Sequence, residues 1–249
     1  QVENTIKLID EGNTIPFIAR YRKEVTGGLS DEVLRTFGER LNYLRNLEKR
    51  KEEVTNSIEE QGKLTEEIVK DLENAITLAE VEDIYRPYKQ KKKTRATVAK
   101  AKGLEPLAEI ILAQEETKNL QEIAAEYISE EKEVKTVEEA IQGALDIIAE
   151  MISDNPEYRK LIKQIVYSKG IENVKKIPSH RILAINRGEK EEFLKVKIEK
   201  EEDKILEKIE KDIIKGENQF TQYLKDTIQD SFKRLIEPSI DREIRSDLT

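Results

Sequence analysis

The sequence predicts a mainly α fold: an elongated multi-helix scaffold with a long central helix, a helix-turn-helix-like portion and at most one short β element near 193–198. Three observations predict it. Apolar residues make up 37% of the chain against 39% charged, with no Trp and five Phe, a ratio that suits amphipathic helices with much surface in water. Leu34, Phe37, Leu41, Leu44 and Leu47 step by three and four, the helical period. Only Phe193-Leu194-Lys195-Val196-Lys197-Ile198 alternates apolar and basic residues as a strand does. A lone strand must pair with a nearby extended segment or with a sheet elsewhere.

Residues 2–11 read as a short helix with Val2, Ile6 and Ile9 on one face, stopped by Gly12. Thr14 to Arg22 follows as a Pro-led apolar turn running into cations. Gly27-Gly28 breaks the pattern, and Ser30 is placed to cap the long helix. That helix, 31–61, resumes its stripe at Val54 and Ile58 and stops at Gly62, about 45 Å at helical rise. Its five-residue stripe should be buried and Glu39, Arg45 and Glu52 exposed. A narrow stripe needs a covering helix, and 66–79 supplies one with Ile68, Leu72, Ala75, Ile76 and Ala79, Thr65 as its cap and Leu64 as its staple.

Gly103-Leu104-Glu105-Pro106 opens a helix carrying Leu107, Ile110, Ile111 and Ala113, and helices near 119–129, 136–153 and 155–169 follow. Ile177-Pro178-Ser179-His180-Arg181 is a second Pro-led entry, leading through Ile182, Leu183 and Ile185 to Arg187-Gly188. The chain is helical again from Glu201 to Ile214, breaks at Gly216, resumes near Asn218 to Leu235, and Pro238 sits in the first turn of a last helix. Three segments result: an N-terminal helical domain 1–103, a helix-turn-helix-like subdomain 104–176 without a recognition helix rich in Arg, Asn or Gln, and 177–249.

Charge is uneven. Tyr85–Lys102 holds eight Lys or Arg and no acid, inside a chain whose net charge is −8. Such an island reads either as a strip that follows a phosphate backbone, with Tyr85 and Tyr88 as stacking surfaces, or as a solvated linker or an intramolecular clasp onto acidic helices. Residues 104–160, with 15 acids against five bases, are the natural internal partner for a clasp. Together with the clusters near the two Pro-bounded turns, the candidate nucleic-acid-binding residues are Arg20, Arg22, Lys23, Tyr85, Arg86, Tyr88, Lys89, Lys91, Lys92, Lys93, Arg95, Arg181 and Arg187.

Most chemistry is excluded. Zero Cys removes disulfides, thiolate metal sites and cysteine nucleophiles, and suits a reducing cytoplasm. The single histidine, His180, cannot supply a two-histidine zinc motif. Ser179 and His180 are chain neighbours, which point apart, so a hydrolase built on them is a remote alternative; a capping serine beside a packed histidine is the ordinary reading. Gly27-Gly28 fits neither phosphate-loop pattern, and the pairs Glu52-Glu53, Glu66-Glu67 and Glu138-Glu139 lie on polar helix faces. No calcium loop is present, and no apolar run approaches a membrane span. We expect no catalytic residues, no metal and no cofactor. The start at Gln1 and the end at Thr249 are expected of a fragment.

The strings from Ile15 to Leu29 and from Val81 to Lys89 resemble the N-terminal region of the bacterial Tex family, the S1-domain transcription accessory proteins related to a eukaryotic elongation factor of the Spt class. Arg50–Thr65, Lys102–Ala108, and Ile177–Arg181 with Asn186–Glu189 are similar in the same order. The resemblance covers nearly the whole chain. It implies a non-enzymatic helical scaffold acting in transcription or RNA metabolism, in the cytoplasm. An RNase-H-like domain, a helix-hairpin-helix region and an OB-fold domain would follow, and the last would carry the main contact with RNA or single-stranded nucleic acid. Transcription or translation machinery are further implied partners; the alternative is a pure protein-interaction scaffold. The chain departs from the family pattern between Lys169-Gly170 and Ile177-Pro178, where a longer segment with aromatic residues is shortened to six residues.

Overall fold

A computed structural model describes residues 1–89, 93–115, 118–166, 177–194 and 200–247. The chain is mainly α, and it divides into two compact units, Gln1–Tyr85 and Arg86–Thr249.

The first unit is organised by one long helix. After α1 (Val2–Asp10), α2 (Ile15–Tyr21) and the single turn α3 (Lys23–Thr26) comes α4 (Asp31–Glu60), then α5 (Glu66–Asn74) and α6 (Leu78–Tyr85). Ser30 caps α4, its hydroxyl accepting from Val33 N at 3.3 Å, and Thr65 does the same for α5 from Ile68 N. The segment expected as a turn at 14–22 is instead a helix. Pro16 stands in its first turn, where a missing N–H costs nothing. Gly27 ends α3 at φ 71°, and a Cβ there would meet the Gln1 side chain at 2.0 Å. Leu8, Ile18 and Leu34 form one core cluster, covered by Ile9, Ile15, Ala19, Val25 and Leu29. Leu47, Val54 and Ile58 are buried on the other half of α4, on which α5 and α6 pack and bury Leu72, Ala75 and Val81. Of the expected stripe, Leu34 and Leu47 are buried and Phe37 and Leu41 half-buried, while Leu44 is exposed; Glu39, Arg45 and Glu52 are exposed as expected.

The second unit starts with a 3₁₀ turn (Arg86–Tyr88), followed by α7 (Arg95–Ala101), α8 (Glu105–Ala113), α9 (Leu120–Ala125), α10 (Val137–Asp154), α11 (Pro156–Val166), α12 (Ser179–Lys190), α13 (Glu202–Ile213) and α14 (Thr221–Asp230). A π-helical turn (Ser231–Ile236) joins α14 to α15 (Glu237–Asp247). Helix α10 is the hub: Ala140, Ala144, Ile147 and Ile148 are buried, and α7, α8, α9 and α14 pack on it. Gly143 lets Leu104, at the start of α8, pack close to α10, since a Cβ there would stand 2.4 Å from Leu104 Cδ1. The same core takes Ile205 and Ile209 of α13, Leu224 and Ile228 of α14, and Ile240 and Ile244 of α15. The π turn precedes Pro238, which has no N–H for the regular ladder and crowds the carbonyl four residues back. Ser231 in that turn donates to Ala149 O at 2.6 Å.

No strand occurs among the described residues. Phe193 and Leu194 donate their N–H groups to Gly188 O and so close α12 as a turn; the rest of the strand expected at 193–198 lies outside the described residues. So do the shortened segment before Ile177 and the end of the helix expected at 155–169.

Candidate nucleic-acid interface

Arg20, Arg22 and Lys23 belong to the first unit. Helix α2 turns Ile18 inward with no exposure and leaves Phe17 and Tyr21, one helical turn apart, 37% and 57% exposed. Their ring centroids are 5.3 Å apart at 46°, and the Arg22 guanidinium lies 5.5 Å from the Phe17 centroid. Among the described residues Arg20, Arg22 and Lys23 are exposed and make no ion pair. These cations stand out in the sequence but the aromatic pair does not, because a four-residue spacing carries meaning only once the segment is a helix. Tyr85, at the end of α6, is half-buried and already engaged: its hydroxyl is 3.0 Å from Ser57 Oγ, and the Arg50 guanidinium is 5.4 Å over its ring. Arg50 is held above its ordinary pKa by its hydrogen bond to Glu82.

The basic strip is split by the fold of the second unit. Arg86 is half-buried, donating to Ser239 Oγ at 3.1 Å and lying 3.7 Å from Glu243. That carboxylate also receives Lys163 at 2.6 Å and the fully buried Arg159, so Arg86 is one of three cations gathered on the last helix. Tyr88 is half-buried and Lys89 exposed, while Lys91 and Lys92 lie outside the described residues. Lys93 and Arg95 are exposed and make no ion pair among the described residues. Thr94 caps α7 through a reciprocal pair of bonds with Thr97. The helix leaves little mark in the sequence, because its buried face is Ala96 and Ala99, too small to register as an apolar stripe. Beyond it, Lys100 pairs with Glu105 at 3.1 Å and Lys102 donates to Glu133 O at 2.8 Å. The far end of the strip thus does bind the acidic 104–160 region.

A cleft of about 500 Å³ beside Arg86 and Thr94 is lined by Arg86, Arg234 and Arg242 and also by Glu150, Asp154 and Glu243. Three cations facing three carboxylates make a near-neutral wall, which is poorly suited to draw in a polyanion. Arg234 is held above its ordinary pKa by its hydrogen bond to Asp230. Asp146 is pushed above the usual carboxylate range by burial, against the attraction of Arg234 and Arg95. On α12, Arg181 is exposed, as is Arg187, which donates to Glu191 at 2.7 Å. His180 is exposed as well.

No helix among the described residues is long and apolar enough to cross a membrane. The Tex-like protein N-terminal domain family matches residues 1–59, and the Tex central region-like family matches residues 167–249. The uncharacterized protein YdcI of Bacillus subtilis is 49% identical over the whole of this chain, which spans 38% of that protein. The transcriptional accessory protein Tex of Neisseria gonorrhoeae is 38% identical over 82% of the chain, equivalent to 30% of its own length. The human S1 RNA-binding domain-containing protein 1 is 30% identical over 99% of the chain and 28% of itself. The chain therefore spans well under half of these relatives, and both ends of it match in family order: it belongs to the Tex family.

Proposed function

We propose that this chain is the non-enzymatic N-terminal scaffold of a Tex-type transcription accessory protein, working on transcripts in the cytoplasm and touching single-stranded nucleic acid weakly through its own uncompensated cations. The observation that carries this reading is the family match at both ends of the chain. The names of two relatives, a transcriptional accessory protein and an S1 RNA-binding domain-containing protein, support nucleic acid as the partner. Long packed helices suit a scaffold that spaces other domains, where the principal nucleic-acid contact would lie.

Within the basic strip, Lys93 and Arg95 are the described cations that best fit the role, because both are exposed and neither makes an ion pair among the described residues, although Arg95 attracts the Asp146 carboxylate. The near-neutral cleft at Arg86 favours a structural part for that residue. The test is a salt titration with labelled single strands. Contacts to phosphates release counterions and give a slope of about −0.7 per contact on a log–log plot. We expect binding at low salt that weakens steeply as salt rises, and a reduced slope once Lys91, Lys92 and Lys93 are all changed to Glu. Absence of binding at low salt would leave the second reading, a protein-interaction scaffold, which the engagement of Arg86, Lys100 and Lys102 within the second unit favours.

A further inference from the structure

We propose that the exposed face of α2, formed by Phe17, Tyr21 and Arg22 and flanked by Arg20 and Lys23, is a stacking platform for unpaired bases of single-stranded nucleic acid. The proposal rests on the reading that this chain touches single strands, and it names a site for that contact in the first unit, away from the basic strip in sequence.

Four features carry it. Ile18 is the fully buried residue of the helix, whereas Phe17 and Tyr21, 37% and 57% exposed, form one contiguous aromatic pair at the surface. The rings are neighbours at 5.3 Å and tilted by 46°, so one strand can reach both. Arg22 lies over Phe17, placing a planar cation where it can cover a base as well as a ring. Finally, Ile15–Lys23 contains three cations and no acid, and none of the three is paired among the described residues. Aromatic faces with uncompensated cations beside them match a ligand that alternates flat bases with phosphates. An apolar protein partner would leave Arg20 and Lys23 without counter-charges, so nucleic acid is the better fit. RNA and DNA strands share this chemistry.

The chain contains no Trp, so Tyr21→Trp introduces a sole tryptophan at the platform and a direct reporter of stacking. The whole 249-residue chain carrying this substitution is titrated with oligo(U), oligo(dT), an abasic oligomer of equal phosphate number, and poly-glutamate. Binding of labelled strands to the unsubstituted chain is followed in parallel by anisotropy. The platform predicts saturable quenching by oligo(U) and oligo(dT) over the concentrations at which anisotropy rises, and little quenching by the abasic oligomer. A stronger response to oligo(U) than to oligo(dT) assigns the site to RNA, and the reverse assigns it to DNA. Phe17→Ala, with helix content checked by circular dichroism, should weaken binding about tenfold and leave the salt slope unchanged, because stacking releases no counterions. Anisotropy without quenching, or equal quenching by the abasic oligomer, overturns the platform and leaves the broader nucleic-acid reading standing. Poly-glutamate quenching without strand quenching overturns it in favour of an acidic protein partner. Absence of any anisotropy change at low salt removes the broader reading, and the platform falls with it.

Discussion

At the scale of single residues, counter-charges decide which cations remain available. The sequence displays every cation but not its distant partners, since an ion pair between far-apart segments leaves no local trace. Arg86 read as the head of a basic strip; its partner Glu243 lies in the last helix. Asp146 shows the same logic in reverse. It is largely buried on α10, with Arg234 at 3.4 Å. Burial raises its pKa more than Arg234 and Arg95 lower it, and Asp230 adds to the rise. A carboxyl whose pKa is raised by folding binds more protons in the native state than in the unfolded one. Stability therefore falls as pH rises from the ordinary aspartate range through the raised value, and the loss persists at neutral pH. Asp146→Asn should raise the melting temperature at pH 7, with the gain vanishing below the ordinary aspartate range. An equal or lower melting temperature at pH 7 would mean that the attraction of Arg234 outweighs burial.

At the scale of elements, α4 was legible as a helix with its boundaries nearly right, but its two-sided use was not. At 100° per residue, Leu34 and Gly38 lie within about 40° of each other, whereas Leu47, Val54 and Ile58 lie roughly 120–160° around the axis. The first half of α4 faces the cluster of Leu8 and Ile18, and the second half faces α5 and α6. Leu44 falls between these faces and is 41% exposed, although it continues the three-and-four spacing. Gly38 is buried where its missing side chain admits Ile15, whose Cδ1 would be 3.2 Å from a Cβ; a glycine inside a helix leaves no mark on an apolar stripe. Leu47→Ala should therefore cost about 2–5 kcal/mol, and Leu44→Ala no more than about 0.5 kcal/mol. Chemical denaturation of both variants measures the difference, and equal losses would mean that one continuous seam, not two faces, holds the helix. The alanine-faced α7 and the π turn before Pro238 were illegible for related reasons, since small residues and widened turns fall outside the patterns of periodicity.

For the whole molecule, the governing quantity is a net charge of −8 carried by a chain for which a polyanionic partner is proposed. Fold class and family were legible because they are written in long-range pattern and ordered motifs. The balance between local attraction and global repulsion was not, because it depends on where each charge sits. Lys93 and Arg95 share the second unit with Glu130, Glu131 and Glu133, which are exposed and make no ion pair among the described residues. These acids repel phosphate over a distance set by screening, about 10 Å at 0.1 M salt and about 30 Å at 0.01 M. Changing all three to Gln should strengthen single-strand binding several-fold at 0.01 M salt and leave it nearly unchanged near 0.5 M, where repulsion is screened. Because the three lie on the surface, each change should alter stability by no more than about 0.5 kcal/mol. Equal affinities for the two chains at about 0.01 M would show that these acids do not act on the bound strand, and would count against Lys93 and Arg95 as its contact.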